Sequence, residues 1–179
     1  MMKKFILIAV VFLALSSITV AQTPKLETSK DLPNGIQLTP FGYIFLAKEY
    51  WAFMEVDYMD AWSGFIEPVF GKGLRIRFSD GLIVSVFDGH EKVEKIETKI
   101  GQNTITYLLV NNANGKQILA KVGSANFSAK IVTDDDKLEF LKIIAEFRRG
   151  RCETCLNSRN TKQMRAVFEK RASEQPKEK

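Results

Sequence analysis

The spacing of hydrophobic positions changes along the chain. Between residues 74 and 132, apolar and polar residues alternate in short runs bounded by Gly, Asn and Asp. "LRIRF" and "LIVSVF" flank "SDG", and "TITYLLV" and "KQILAKV" flank "NNANG"; each pair predicts a β-hairpin, because Gly supplies the positive φ of a tight turn. "ANFSAKIV" predicts a further strand with Phe127, Ala129 and Ile131 on one face. "KVEKIETKI" fits either period, since Val93, Ile96 and Ile100 lie three and four apart, and the neighbouring hairpins favour a strand.

After Val132 the period lengthens. In "TDDDKLEFLKIIAEFRRG", Leu138, Phe140, Leu141, Ile143, Ile144, Ala145 and Phe147 trace a broad helical stripe, which predicts a helix over 134–149. Thr133 or Asp134 suits its N-cap, three aspartates suit its positive end, Arg148 and Arg149 suit its negative end, and Gly150 suits the stop. The Asp-rich start lacks the ligand spacing of a calcium loop. The region "YIFLAKEYWAFMEVDYMDAWSGF" is ambiguous: Ile44, Ala47, Trp51, Met54, Tyr58, Ala61 and Phe65 fit a helix face, whereas Met54, Val56 and Tyr58 alternate with Glu55 and Asp57. The strand-rich surroundings favour two strands broken near Lys48-Glu49.

The N-terminus has a different pattern. Two lysines precede an apolar run from Phe5 to Leu15, and small residues lead to Thr19-Val20-Ala21, the order of a secretory signal peptide, with cleavage expected after Ala21. Eleven apolar residues span roughly 16 Å as a helix, about half the hydrocarbon core of a bilayer. Residues 22–35, with two prolines and a glycine, read as a flexible leader; 36–150 form one domain; 151–179 are a basic tail carrying both cysteines. The roughly 160 residues left after cleavage bury a core without help from disulfides or metal.

Charge is uneven. The chain carries a formal +5, but residues 148–179 hold ten Lys or Arg against four Glu, so the body before them is mildly acidic. In an exported protein such a tail points to anionic lipid or envelope polymers as partners. Nucleic acid is not expected, because Phe168 is the tail's only aromatic residue.

Chemistry-bearing residues are few. Cys152 and Cys155 lie three apart among Arg148, Arg149 and Arg151. Outside the cytoplasm they are expected to oxidise to each other, as a local structural disulfide or, with thiolates favoured by the arginines, as a redox pair. A thioredoxin-type site needs its first cysteine at a helix start, which a second helix beginning near Glu153 would supply. Haem attachment is excluded because Leu156, not His, follows Cys155. Asp88, His90 and Glu91 cluster in "FDGHEKVE", a polar turn in which a metal or general-base role is the lesser reading, and no cofactor is indicated. Trp51, Phe53, Tyr58 and Trp62 either pack as core or line a pocket for a small apolar ligand. Asn126-Phe127-Ser128 is a glycosylation sequon in a eukaryotic secretory pathway.

The pattern therefore predicts an α+β fold: an antiparallel curved sheet or small barrel of about 6–8 strands, a C-terminal amphipathic helix packed on it, and a basic helical tail. This layout resembles that of the pleckstrin-homology superfold and of small barrels such as the lipocalins, a likeness carried by no motif. The expected function is that of a non-enzymatic binding or scaffold protein, secreted or periplasmic, associated with an envelope surface through its tail. The alternative is a thiol-disulfide oxidoreductase at Cys152 and Cys155.

Overall fold

The computed structural model describes residues 35–159 apart from 48, 59, 70, 82, 83 and 114, together with 166 and 169. The predicted signal peptide, all of the leader but Gly35, and the predicted basic tail beyond residue 159, apart from 166 and 169, lie outside the described residues. The elements are β1 (Ile36–Thr39), β2 (Gly42–Ile44), β3 (Tyr50–Tyr58), β4 (Ala61–Pro68), β5 (Ile76–Gly81), β6 (Ile96–Ile100), β7 (Asn103–Asn112), β8 (Gly115–Val122), β9 (Ala125–Ile131), α1 (Asp134–Ala145), β10 (Phe147–Arg149) and β11 (Leu156–Asn157).

Seven strands form an antiparallel sheet in the order β3-β4-β5-β9-β8-β7-β6, and four form a mixed sheet in the order β10-β2-β1-β11. Neither sheet closes, so the predicted small barrel does not form, while the antiparallel sheet with one helix against it does. The hydrophobic pattern gives no sign of the second sheet, whose strands are two to four residues long, too short to show a period.

One face of the large sheet is packed from β3 to β7 and opens at the β6 edge, where Ile96 is exposed. Register places Ala52, Ile66, Ile76, Ala129 and Ile118 in one transverse row, with Gly64, Phe78, Phe127, Ala120 and Tyr107 in the next. Gly64 has to lack a side chain, because a Cβ there would lie 2.8 Å from the Phe78 ring and 2.1 Å from the Phe53 carbonyl oxygen. Onto this face pack Phe140, Leu141 and Ile144 of α1, and Ile36, Leu38, Ile44 and Phe147 of the small sheet.

The helix begins as predicted and ends early. Thr133 caps it: its Oγ1 accepts from the Asp136 N–H at 3.1 Å, and the Asp136 carboxylate accepts from the Thr133 and Val132 N–H groups. At the other end Asn103 Nδ2 and Arg148 Nη1 both donate to the carbonyls of Ala145 and Phe147. The predicted continuation to 149 is instead β10, pairing with β2. Phe147 is buried as a residue of β10, and its hydrophobicity carries the helical stripe of the sequence past the real end.

The ambiguous stretch is strand. β2 ends at Ile44, β3 starts at Tyr50, and a β-bulge between Met54 and Val56 shifts the register, so that Met54 pairs with Gly64 and Val56 with Ser63 and the strand's alternation changes face midway. The "SDG" hairpin is a misreading. Ser79, Asp80 and Gly81 belong to β5, which pairs with β4 and β9, and the chain then crosses the outer face to β6 at the far edge. On the way Val86, Phe87 and Val93 cover Leu108, Leu119 and Val110 of β7 and β8. The apolar residues after "SDG" therefore serve as a cover rather than as a paired strand. The "NNANG" hairpin forms as predicted, between β7 and β8.

Residues 151–158 are built into the fold. β11 runs parallel to β1, and Ser158 is fully buried, its Oγ donating to the Leu38 carbonyl and its carbonyl accepting from the Met54 N–H.

Candidate functional site

The second face of the large sheet is covered only in part. Antiparallel register aligns Phe53, Phe65, Arg77, Ser128, Leu119 and Leu108 in one row across six strands. Cross-strand partners share a face, so the row lies opposite Ile76 and Phe78. Its Leu119 and Leu108 end lies beneath Phe87. Its other end is partly exposed: Trp51 stacks on Phe53 at 5.2 Å between ring centroids, Phe53 and Phe65 lie 5.7 Å apart, and the Arg75 guanidinium sits 3.8 Å above the Phe65 ring. Arg75 is held there by Glu67, at 2.6 Å. A cation over an aromatic face and a tilted ring pair each contribute on the order of 1 kcal/mol, enough to hold the strip in one arrangement.

The neighbouring row on the same face is Ser63, Ser79 and Asn126. Between these two rows and the Val84–Val86 segment lies a cavity of about 230 Å³ lined by Ser63, Arg77, Ser79, Asn126 and Ser128. Asn126 helps to build it, since its Oδ1 accepts from the Val86 N–H at 3.2 Å and fixes the covering segment. Arg77 is exposed and has no ion pair among the described residues. Asn126 is 4% exposed, so in the folded chain the sequon of which it is the acceptor opens only toward this cavity.

A larger cleft, about 290 Å³, lies beside β1 and β11 and contains Gln37, Thr39, Arg151, Asn157 and Arg159. Its polar groups are largely engaged in the seam. Gln37 Nε2 donates to the Thr39, Gly42 and Gly150 carbonyls, Gln37 Oε1 accepts from the Cys152 N–H at 2.7 Å, and Thr39 Oγ1 donates to Asp80.

The sequence-predicted residues do not assemble into one site. Cys152 and Cys155 are bonded, with Cα atoms 5.3 Å apart, in a turn between β10 and β11. No helix begins at Glu153; the Leu156 N–H instead donates to the Gly35 carbonyl, and β11 follows. A Cβ on Gly35 would lie 2.7 Å from Cys155 Sγ, so the disulfide is packed directly on the start of β1. Of the predicted pocket residues, Trp51 and Phe53 lie together on the outer strip. Trp62 is buried on the opposite face, edge-on to Phe41 at 5.2 Å. The side chain of Tyr58 lies outside the described residues. Trp62 and the Trp51–Phe53 pair therefore lie on opposite faces of the sheet.

His90 lies in a turn, its N–H donating to the Phe87 carbonyl. The backbone N–H groups of Glu91 and Gly89 hold the Glu91 carboxyl below the ordinary carboxylate range. Among the described residues, no three His, Cys, Asp or Glu side chains gather as a metal ion requires.

Two groups that matter structurally escaped the sequence reading. Tyr50 donates to the Glu139 carboxylate of α1 and accepts from the Leu74 N–H at 3.0 Å; burial above all, and then the bond to Glu139, pushes its phenol up to about 12. Asp80, at 2% exposure, accepts from Thr39 Oγ1, Ser124 Oγ and the Gly81 N–H, and Arg149 donates to the same Ser124 hydroxyl. Arg77 and Ser79 also went unread. The only signal for them was the alternation of β5 past Ser79, which "SDG" obscured by resembling a turn. Compared with protein-family models, with curated proteins and with solved structures, the chain matches none.

Proposed function

We propose that the protein is a non-enzymatic binding or scaffold protein of the cell envelope or extracellular space that uses the open part of its large sheet for recognition and its basic C-terminal segment to associate with an anionic surface. The open strip carries this reading. One face of the sheet carries the core, and the other presents Trp51, Phe53 and Phe65 beside Arg75 and Arg77. Aromatic residues and arginine are the side chains enriched where proteins bind partners, because they combine large contact area with directional polar groups. The Cys152–Cys155 bond is compatible with an oxidising compartment, and the basic segment supplies a sequence-independent attraction to polyanions.

The test is association of the mature chain with anionic and with neutral vesicles, and with cell-wall fractions, across a salt series. Binding to the anionic material that weakens steadily with salt is expected. Binding that ignores salt, or no binding to any anionic preparation, overturns the surface role.

A thiol-disulfide exchange role for Cys152 and Cys155 is the second reading, supported by the partial exposure of both residues. Equilibration with glutathione buffers separates the two. A strongly reducing potential indicates a structural bond, and one near the oxidant range indicates exchange chemistry.

A further inference from the structure

The cavity between the Val84–Val86 segment and β4, β5 and β9 has a one-sided chemistry. The guanidinium of Arg77, the hydroxyls of Ser63, Ser79 and Ser128, and the Nδ2 of Asn126 can all donate, and among the described residues no acidic side chain lines the cavity. Asn126 Oδ1 is already occupied by the Val86 N–H, which leaves its NH2 for a ligand. Ser63 and Asn126 are only 5% and 4% exposed, yet no buried side-chain polar atom among the described residues lacks a partner, so their remaining polar atoms reach the cavity. The Ser63, Ser79 and Asn126 row continues into Lys121 and Thr106 on β8 and β7, so this part of the outer face is polar across the sheet.

The geometry also sets the size of what fits. Strands lie about 4.8 Å apart, so Ser63, Ser79 and Asn126 span roughly 10 Å, and Arg77 and Ser128 stand two residues further along, roughly 7 Å away. That is wider than one oxyanion. The volume of about 230 Å³ falls below the roughly 300–1,000 Å³ of sites for drug-sized ligands. A small polyhydroxyl body with one anionic group matches both dimensions: the anion pairs with Arg77 and Ser128, and the hydroxyls, which both donate and accept, pair with Ser63, Ser79 and Asn126.

We propose that this cavity binds a phosphorylated polyol, either a free sugar or glycerol phosphate or the same chemistry presented as a lipid head group. The proposal rests on the reading of the outer face as the recognition face, and gives that face its ligand class.

The probes are glycerol 3-phosphate and glucose 6-phosphate, with glycerol, glucose and inorganic phosphate as separate controls at constant ionic strength, followed by amide chemical shifts of the mature chain. The esters are expected to shift Ser63, Ser79, Asn126 and Ser128 and to bind at least ten-fold more tightly than either half alone. Arg77→Gln, at an exposed position, is expected to weaken the esters at least ten-fold, and Ser79→Ala to weaken them several-fold while leaving inorganic phosphate unchanged. Phosphatidylglycerol vesicles compared with phosphatidylserine vesicles identify the source: an Arg77-dependent preference for the glycerol head group points to lipid, and no preference points to the free ester.

Inorganic phosphate binding as tightly as the esters, ester affinity unchanged by Arg77→Gln, or no shifts at these residues overturns the proposal. Salt-sensitive vesicle adsorption that survives Arg77→Gln alongside any of these results leaves the surface role of the tail standing, so the two failures are distinguishable.

Discussion

Tyr50 shows how one side chain fastens two layers. Its hydroxyl joins Glu139 on the helix to the Leu74 N–H on the segment before β5, and Gly73 leaves the space, since a Cβ there would lie 2.4 Å from that hydroxyl. Tyr50→Phe strands a buried N–H and a carboxylate, so a loss of about 1–3 kcal/mol is expected in denaturant unfolding. The same contacts make stability fall at high pH. The folded phenol titrates near 12 against 10.0 for the ordinary group, so the unfolded chain releases its proton first. This contribution is complete below pH 10 and is lost as pH rises toward 12. A pH series of unfolding free energies on wild type and Tyr50→Phe checks it, and the variant's alkaline slope should be shallower. None of this was readable from the chain, because Tyr50 and Glu139 are 89 residues apart and only the packing of α1 on the sheet brings them together.

At the scale of elements, the start of α1 was the most legible, because its N-cap and its stripe agree. Thr133→Ala removes the hydroxyl that receives the Asp136 N–H and is expected to cost about 1 kcal/mol in thermal or denaturant unfolding. The N–H groups of Thr133 and Val132 hold the Asp136 carboxyl below its ordinary range, so this capping is present above the unfolded pKa and lost as pH falls through the folded one. Asp136→Asn should therefore flatten the acid limb of the stability curve. The strands were legible where both flanks were regular, as in β7, β8 and β9. The reading failed at β5, because "SDG" is a turn tripeptide by composition and a strand end by context. Asp80 can sit in a strand because three donors from different parts of the chain surround it. The end of α1 was misplaced for a related reason: β2 offers Phe147–Arg149 a ladder, and Asn103 and Arg148 satisfy the last carbonyls.

For the whole molecule, the core sets stability and the disulfide adds little. A four-residue ring contributes at most about 2 kcal/mol by loop entropy, while the core includes four fully buried phenylalanines and spans both sheets and the helix. Cys152→Ala with Cys155→Ala is expected to keep both sheets, seen as an unchanged far-UV spectrum, and to lower the unfolding free energy by no more than about 2 kcal/mol. Complete unfolding of the double variant at room temperature would show that the β1 to β11 seam depends on the bond.

The sequence by itself determined the strand type of β7, β8 and β9, the buried face of β9 and of α1, the start of the helix and the pairing of the two cysteines. Each of these is decided by residues a few positions apart, through periodicity, capping and ring closure. Only the tertiary structure decided that β5 pairs with β9, that the segment after it crosses the outer face, and that Ser63, Arg77, Asn126 and Ser128 meet around one cavity. These are pairings between segments separated by tens of residues. Such contacts depend on which register buries the most apolar surface across the whole sheet, and no local stretch of sequence carries that information.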